Sequence, residues 1–266
     1  MTYLQKILDS HRQKAQNDNR NFESLYSQAS DLPPVRGFRK SLIKHSETGI
    51  AVIAEIKRRS PSKGNLFEEL DPRLLAAEYE SAGAAAISVL TDEDYFGGSK
   101  QDLIEASHNV KIPVLRKDFT VDQRDICDAR IMGADAVLLI VSALDQAELK
   151  DFLDLSVELN LDPLVEVNNE KELERALSVG AKLIGVNQRD LKSFEVDPLR
   201  AMDLISKIPA SVTAVAESGI DGAENARKMM EAGYSALLVG ELLVKSADRA
   251  KTLSDLRNTF GGRVND

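Results

Sequence analysis

The sequence predicts an α/β fold, a closed (β/α)8 TIM barrel with an N-terminal helical extension. Two observations carry that prediction. From residue 49 onward, short and nearly continuous apolar runs succeed one another, eight in all. Unbroken apolarity is how a parallel strand buried on both faces reads. Between the runs lie amphipathic stretches, and four of them end at a glycine just before the next run (Gly83, Gly133, Gly180 and Gly233). A glycine there is the left-handed stop of a helix that leads into a strand. Eight strand–helix units in a few more than 200 residues suit a closed barrel.

The runs are "IAVIAEIK" (50–57), "AAAISVL" (84–90), "IPVLRK" (112–117), "ADAVLLIV" (134–141), "DPLVEV" (162–167), "KLIGVN" (182–187), "SVTAVAE" (211–217) and "YSALLVG" (234–240). In "DPRLLAAEYESAG", Asp71 suits an N-cap, Pro72 the first helical position and Gly83 the stop. An open doubly wound sheet is the rival architecture, but it would place a glycine-rich dinucleotide turn after the first strand. No such turn follows residue 57. Residues 1–48 precede the barrel. "YLQKILDSHRQKA" puts Leu4, Ile7 and Leu8 on one helical face, and "NFESLYSQA" and "GFRKSLIKH" each suit a further short helix. Each is too short to fold alone, so 1–48 is read as an extension packed on the barrel, and 49–266 as the barrel of a single domain.

Composition narrows the function. The net charge of −9 excludes an overall basic nucleic-acid footprint, so the cations for any anionic ligand must be gathered locally. Cys127 is the only cysteine, which rules out an intrachain disulfide and a cysteine-rich metal site. It falls mid-helix and is read as core. No apolar run approaches the ~20 residues of a membrane span, and "MTYLQKILDSHRQK" lacks the apolar centre of a signal peptide. The expectation is a soluble cytoplasmic protein that binds neither membrane nor nucleic acid. His11, His45 and His108 are read as surface residues, and no pair of them has metal-ligand spacing. Neither a metal nor a cofactor is expected.

Chemistry in such a barrel sits where strands end and loops begin. Here those ends are charged: Glu55 and Lys57 with Arg58, Arg59 and Ser60 after the first strand, Lys117 after the third, Glu166 in the fifth, Asn187 and Arg189 at the sixth, Glu217 and Ser218 at the seventh. Side chains at i and i+2 share a face. Glu55 therefore points with Lys57, and Leu115 with Lys117 and Phe119, while Arg116 and Asp118 face away toward neighbouring helices or loops. One consistent choice of inward face gathers two lysines, three glutamates, an asparagine and an aromatic in one pocket. A structural salt-bridge net is the competing reading, but charges inside apolar runs are seldom buried unless paired. "ESGI" (217–220) and "LVGELL" (238–243) place Ser218, Gly219 and Gly240 after the last two strands, where barrels hold phosphate on backbone N–H groups. Glu241 suits an anion there only if it points away. "FGGSK" (96–100) is read as a turn with Ser99 capping the next helix.

At these residues the sequence resembles the indole-3-glycerol-phosphate synthase family of tryptophan biosynthesis. The matching motifs are "EIKRRSPSKG" (55–64), "ISVLTDEDYFGGS" (87–99), "PVLRKDF" (113–119), "LVEV" (164–167), "IGVNQRDLKSFEVD" (184–197), "AESGI" (216–220) and "LVGE" (238–241). The helical extension is similar as well. Related phosphate-binding barrels share "ESGI"-like loops, but not "EIKRRSPS" together with "VLRKDF". The resemblance implies an anionic small-molecule substrate, 1-(2-carboxyphenylamino)-1-deoxyribulose 5-phosphate, and release of CO2 and water on forming indole-3-glycerol phosphate. It implies Lys117 as general acid and Glu166 as general base. Lys57 would hold the substrate carboxylate and is a second candidate proton donor, and Glu55, Asn187 and Glu217 would orient these groups. Arg189, Ser218, Gly219 and Gly240 would line the substrate and phosphate side, near Ser60 and Glu241. Phe96, Phe119 and Leu138 are candidates to sandwich the anthranilate ring.

The family often has His where this chain has Asn168, and Ser where it has Leu242. No fused second enzyme is expected, and contact with other tryptophan-pathway enzymes is a further expectation. Two other functions stand beside this one. A related phosphate barrel such as phosphoribosylanthranilate isomerase would need a different acid–base pair, and a non-catalytic metabolite-binding barrel would have lost acid or base residues.

Overall fold

The computed structural model describes residues 2–60, 64–67, 69–190 and 194–258. Residues 61–63 and 191–193, inside two of the motifs quoted above, lie outside the described residues. Eight parallel strands close into a barrel: β1 Ala51–Ile56, β2 Ala86–Leu90, β3 Val114–Lys117, β4 Ala136–Ile140, β5 Asp162–Val167, β6 Leu183–Asn187, β7 Thr213–Glu217 and β8 Ala236–Val239. Each lies inside one of the eight apolar runs. β1 pairs with β2 on one side and with β8 on the other, so the sheet has no free edge. A two-stranded hairpin, Arg59–Ser60 with Gly64–Asn65, rises after β1.

Helices alternate with the strands. Around the barrel run α4 Pro72–Ser81, α6 Lys100–Asn109, α7 Gln123–Ile131, α8 Gln146–Glu158, α9 Glu170–Ser178, α10 Arg200–Ile205, α11 Ala223–Ala232 and α13 Arg249–Arg257, while α5 Glu93–Phe96 and α12 Glu241–Lys245 are single turns above β2 and β8. The start of α4 is set by the Asp71 carboxylate, which accepts from the backbone N–H of Arg73 and Leu74 ahead of Pro72. Ser99 caps α6 by accepting from Asp102 N. Gly83, Gly133, Gly180 and Gly233 all have φ between 87° and 110°, the left-handed region that stops a helix without steric cost.

Three helices precede the barrel: α1 Tyr3–Gln16, α2 Phe22–Ser30 and α3 Phe38–Ser46. Leu4, Ile7 and Leu8 of α1, and Phe38 and Leu42 of α3, are buried, each contributing about 1.5–3 kcal/mol by leaving water. Polar anchors fix the attachment. Asp135, buried before β4, accepts from Arg36 N at 2.7 Å, Arg36 Nε at 2.8 Å and Val114 N at 2.8 Å. The extension thus shares one carboxylate with the barrel wall. Cys127 is fully buried in α7. No described helix is long and apolar enough to cross a membrane.

Candidate active site

A cavity of about 630 Å³ opens at the carboxyl ends of the strands. Glu55 leaves β1 and Lys57 follows it; Lys117 ends β3, Leu138 lies in β4, Glu166 in β5, Asn187 ends β6 and Glu217 ends β7. All of them line the cavity, as do Ser60, Phe96, Phe119, Arg189, Ser218, Gly219, Gly240 and Glu241. Alternation explains the convergence. In the barrel register Glu166 stands beside Ile140 and Gly185, and Asn187 beside Glu217, so neighbouring strands deliver their polar ends at one level.

Lys117 is the centre of the charge network. Its Nζ donates to Glu166 Oε2 at 3.0 Å and lies 3.7 Å from Glu217 Oε2. Asn187 Nδ2 donates to the other Glu166 oxygen at 3.0 Å, which fixes that carboxylate from both sides. Lys57 Nζ donates to Glu55 Oε1. Burial works against the Lys117 charge, but the carboxylates of Glu166, Glu217 and Glu55 outweigh it and hold the ammonium well above its ordinary pKa. Lys117 therefore carries its proton at neutral pH. Glu217 behaves in the opposite way. Burial, reinforced by the like charge of Glu166 and opposed by Lys117, pushes its carboxyl up to about 8. Its Oε1 is buried without a hydrogen-bond partner among the described residues. Gly185 makes room for it: a Cβ at that position would lie 1.9 Å from Glu217 Oε1.

The far side of the cavity has a different character. Ser218 and Gly219 are both left-handed, with φ of 61° and 69°. Gln188 Nε2 donates to Ser218 O at 2.7 Å and holds that turn. A Cβ on Gly219 would come within 2.8 Å of Val196 Cγ1, so the loops approach each other only because the side chain is missing. Gly240 stands similarly close to Glu55. Glu241 accepts from Lys245 Nζ at 2.7 Å along its own helix. Arg189 donates through Nη1 to Phe194 O at 2.9 Å. Asn168, one of the two departures from the family pattern, donates to Asn187 O at 2.8 Å and Arg189 O at 3.0 Å, tying the β5 loop to the β6 loop. Leu242, the other, also lines the cavity.

One expectation needs correction. His11 is not a surface residue: its side chain is 12% exposed, and Nε2 sits 2.8 Å from Asp92 Oδ2. Arg116 and Asp118 both turn away as expected: Arg116 donates to Asp125 O at 2.6 Å toward α7, and Asp118 Oδ2 accepts from Arg116 Nη2 at 3.1 Å and from Thr91 Oγ1, although Asp118 also borders the cavity. Asp92, Phe194 and Val196 also line the cavity and were not foreseen. The ligating atoms of His11, Asp92 and Asp118 lie within 4.8 Å of one another.

A closed barrel with a buried lysine–carboxylate cluster at its carboxyl end defines the class: a (β/α)8 barrel with an acid–base cleft. The family model for indole-3-glycerol phosphate synthase matches residues 4–256. An indole-3-glycerol phosphate synthase of Chlorobium phaeovibrioides is 44% identical over 254 residues, covering 93% of this chain and 96% of that protein. One from Koribacter versatilis is 44% identical over 255 residues (95% and 98%), and one from Rhodococcus jostii 45% over 260 (97% and 96%). The chain belongs to the indole-3-glycerol phosphate synthase family. Among solved structures it shares the fold of a thiamine phosphate pyrophosphorylase from Pyrococcus furiosus, with a TM-score of 0.58 and 17% identity over 80% of this chain and 96% of that one. It also shares the fold of an N-acetylmannosamine-6-phosphate 2-epimerase from Clostridium perfringens, with a TM-score of 0.60 and 14% identity over 80% and 96%.

Proposed function

We propose that this chain converts 1-(2-carboxyphenylamino)-1-deoxyribulose 5-phosphate to indole-3-glycerol phosphate, CO2 and water, the carboxy-lyase step of tryptophan biosynthesis. The observation that carries the reading is Lys117, a buried ammonium held by Glu166 and Glu217 beside the apolar walls of Leu138 and Phe119.

The chemistry follows from those groups. The ring carbon bearing the carboxylate attacks the ketone carbon, and the carbonyl electron pair moves onto oxygen. Lys117 stabilises that developing charge and donates its proton. CO2 leaves, and the electron pair of the broken bond restores the aromatic ring. The hydroxyl then departs as water, taking a second proton from an ammonium, while the nitrogen lone pair drives it out. Glu166 acts as the base and removes a proton from the ring CH2 beside the nitrogen, which forms the remaining C=C bond, returns the electron pair to nitrogen and completes the indole. Lys57 binds the substrate carboxylate and is the second candidate acid. Glu55, Asn187 and Glu217 orient the lysines and the base through the contacts described above. The phosphate sits on the opposite side, at Ser218, Gly219 and Gly240, with Arg189 on the substrate side. Ser60 and Glu241 border that space. Phe96, Phe119 and Leu138 hold the anthranilate ring.

Mixing protein with this substrate and following indole absorbance or fluorescence tests the reading. Steady indole formation is expected. No indole with protein in excess over substrate refutes it, and turnover in a coupled phosphoribosylanthranilate isomerase assay instead would establish the rival barrel chemistry. The same reading includes a cytoplasmic location and association with other enzymes of the pathway, which cell fractionation and co-purification test. It also treats 1–48 and 49–266 as one domain, for which a single unfolding transition is expected.

A further inference from the structure

The misjudged histidine leads to a role. His11 belongs to α1, yet it reaches the chemical end of the barrel and lies between two carboxylates. One is Asp92, two residues past β2 at the cap of α5; the other is Asp118, directly after Lys117. Each carboxylate holds the backbone of an aromatic residue in the cavity wall. Asp92 Oδ1 accepts from Tyr95 N at 2.6 Å and from Phe96 N at 3.1 Å, while its other oxygen meets His11 Nε2 at 2.8 Å. Asp118 Oδ1 accepts from Phe119 N at 2.9 Å and lies 3.9 Å from the same His11 nitrogen. The imidazole also packs on Phe119, with ring centroids 5.5 Å apart and planes at 45°, and Phe119 in turn lies 6.4 Å from Phe96.

From this geometry we infer that His11 is a positioning residue for the aromatic wall of the substrate cavity, acting on Phe96 through Asp92 and on Phe119 by direct packing and through Asp118. The inference rests on the reading of Phe96 and Phe119 as the ring-binding wall. Asp92 is almost wholly buried, at 3% exposed, so its outer oxygen needs a partner from another element. Burial opposes ionising it, but the His11 hydrogen bond and the Tyr95 and Phe96 N–H groups hold its carboxyl below the usual range. Without His11 that oxygen has no other side-chain donor among the described residues, and the turn that presents Phe96 loses its outer support. A second link from α1 to the same loop provides a control. Lys14 Nζ donates to Asp94 Oδ2 at 2.7 Å, but this pair is more than half exposed and neither residue lines the cavity.

The test uses the full chain with His11→Ala, His11→Asn, His11→Gln and Lys14→Ala. A glutamine amide nitrogen reaches the position of imidazole Nε2, whereas that of asparagine falls near Nδ1. The Ala and Asn variants are expected to raise KM about tenfold, as loss of a hydrogen bond to a charged group would, with kcat nearly unchanged. Gln is expected to restore most of the affinity, and Lys14→Ala to leave KM as it was. An unchanged KM in His11→Ala overturns the inference, as does equal impairment by Gln, or an equal effect of Lys14→Ala, which would reduce His11 to a tether. A crystal structure of His11→Ala beside that of the unaltered chain reads the same point without turnover. Displacement of the Phe96 or Phe119 ring by about 1 Å, enough to matter for reaction geometry, is expected, and unmoved rings overturn the inference. If the unaltered chain makes no indole, the functional reading fails by itself, and the ring positions still decide the role of His11.

Discussion

Replacing Glu217 with glutamine removes a charge that the fold holds at a cost. The carboxyl is 1% exposed, lies beside the like charge of Glu166 and is crowded against Gly185. A carboxyl whose pKa is raised in the folded protein binds its proton more tightly there than in the unfolded chain. Its contribution to stability is complete below the ordinary value of 4.5 and is lost as the pH rises through about 8. Glutamine keeps the shape and cannot ionise, so it loses nothing over that interval. At about 1.36 kcal/mol per pH unit, the shift from 4.5 to about 8 gives the variant an advantage on the order of 3 kcal/mol at pH 7 and 5 kcal/mol at pH 9. In a chain of this size that amounts to a rise in Tm on the order of 10 °C. Urea unfolding of both proteins, followed by circular dichroism at pH 5, 7 and 9, measures it. Near-equal stability at pH 5 and a gap that widens toward pH 9 are expected. Stability profiles that stay parallel from pH 5 to 9 would refute the reasoning, because Glu217 would then ionise as easily in the fold as outside it.

Three further outcomes follow from the same geometry. Lys117→Ala should lower kcat by roughly 10²–10⁴-fold, the usual contribution of a positioned acid, while circular dichroism still reports a folded barrel; wild-type-like kcat would remove Lys117 from the mechanism. Gly185→Ala drives a methyl group into the Glu217 carboxyl, so a stability loss of about 1–3 kcal/mol and at least a tenfold drop in turnover are expected in denaturant melts and the indole assay. Asp135→Ala leaves the Arg36 guanidinium with backbone carbonyls but no counter-charge, strands the N–H groups of Arg36 and Val114, and should cost about 3–5 kcal/mol in the same melts. A loss under 1 kcal/mol would show that the extension is held by its apolar face alone.

The barrel could be read from the chain because its signals are local. A strand buried on both faces must be apolar at every position, and a helix that stops abruptly needs a residue able to take positive φ; both leave marks within a few residues. The acid–base cluster was readable for a related reason. Glu55 and Lys57 interrupt an apolar run two residues apart, and alternation alone puts them on one side. What escaped depends on contacts between distant segments. His11 meets Asp92 across 81 positions, and its own surroundings in α1 are polar, so nothing nearby hints that it is half-buried. Phe194 and Val196 reach the cavity from a loop whose path no periodicity describes.

The pairing of β1 with β8 brings together the first and last strands of the barrel. On the ribosome, Ala51 is made long before its partner Ala236 emerges. Until then the nascent sheet carries an open edge on β1, with apolar side chains on both faces and unpaired backbone groups along its rim. The rate of maturation is therefore governed by a contact spanning most of the chain, which places folding among the slower topologies and makes the half-made barrel the species most exposed to aggregation. Crowded or overexpressing cells should lose this protein chiefly at that stage, before the cleft exists.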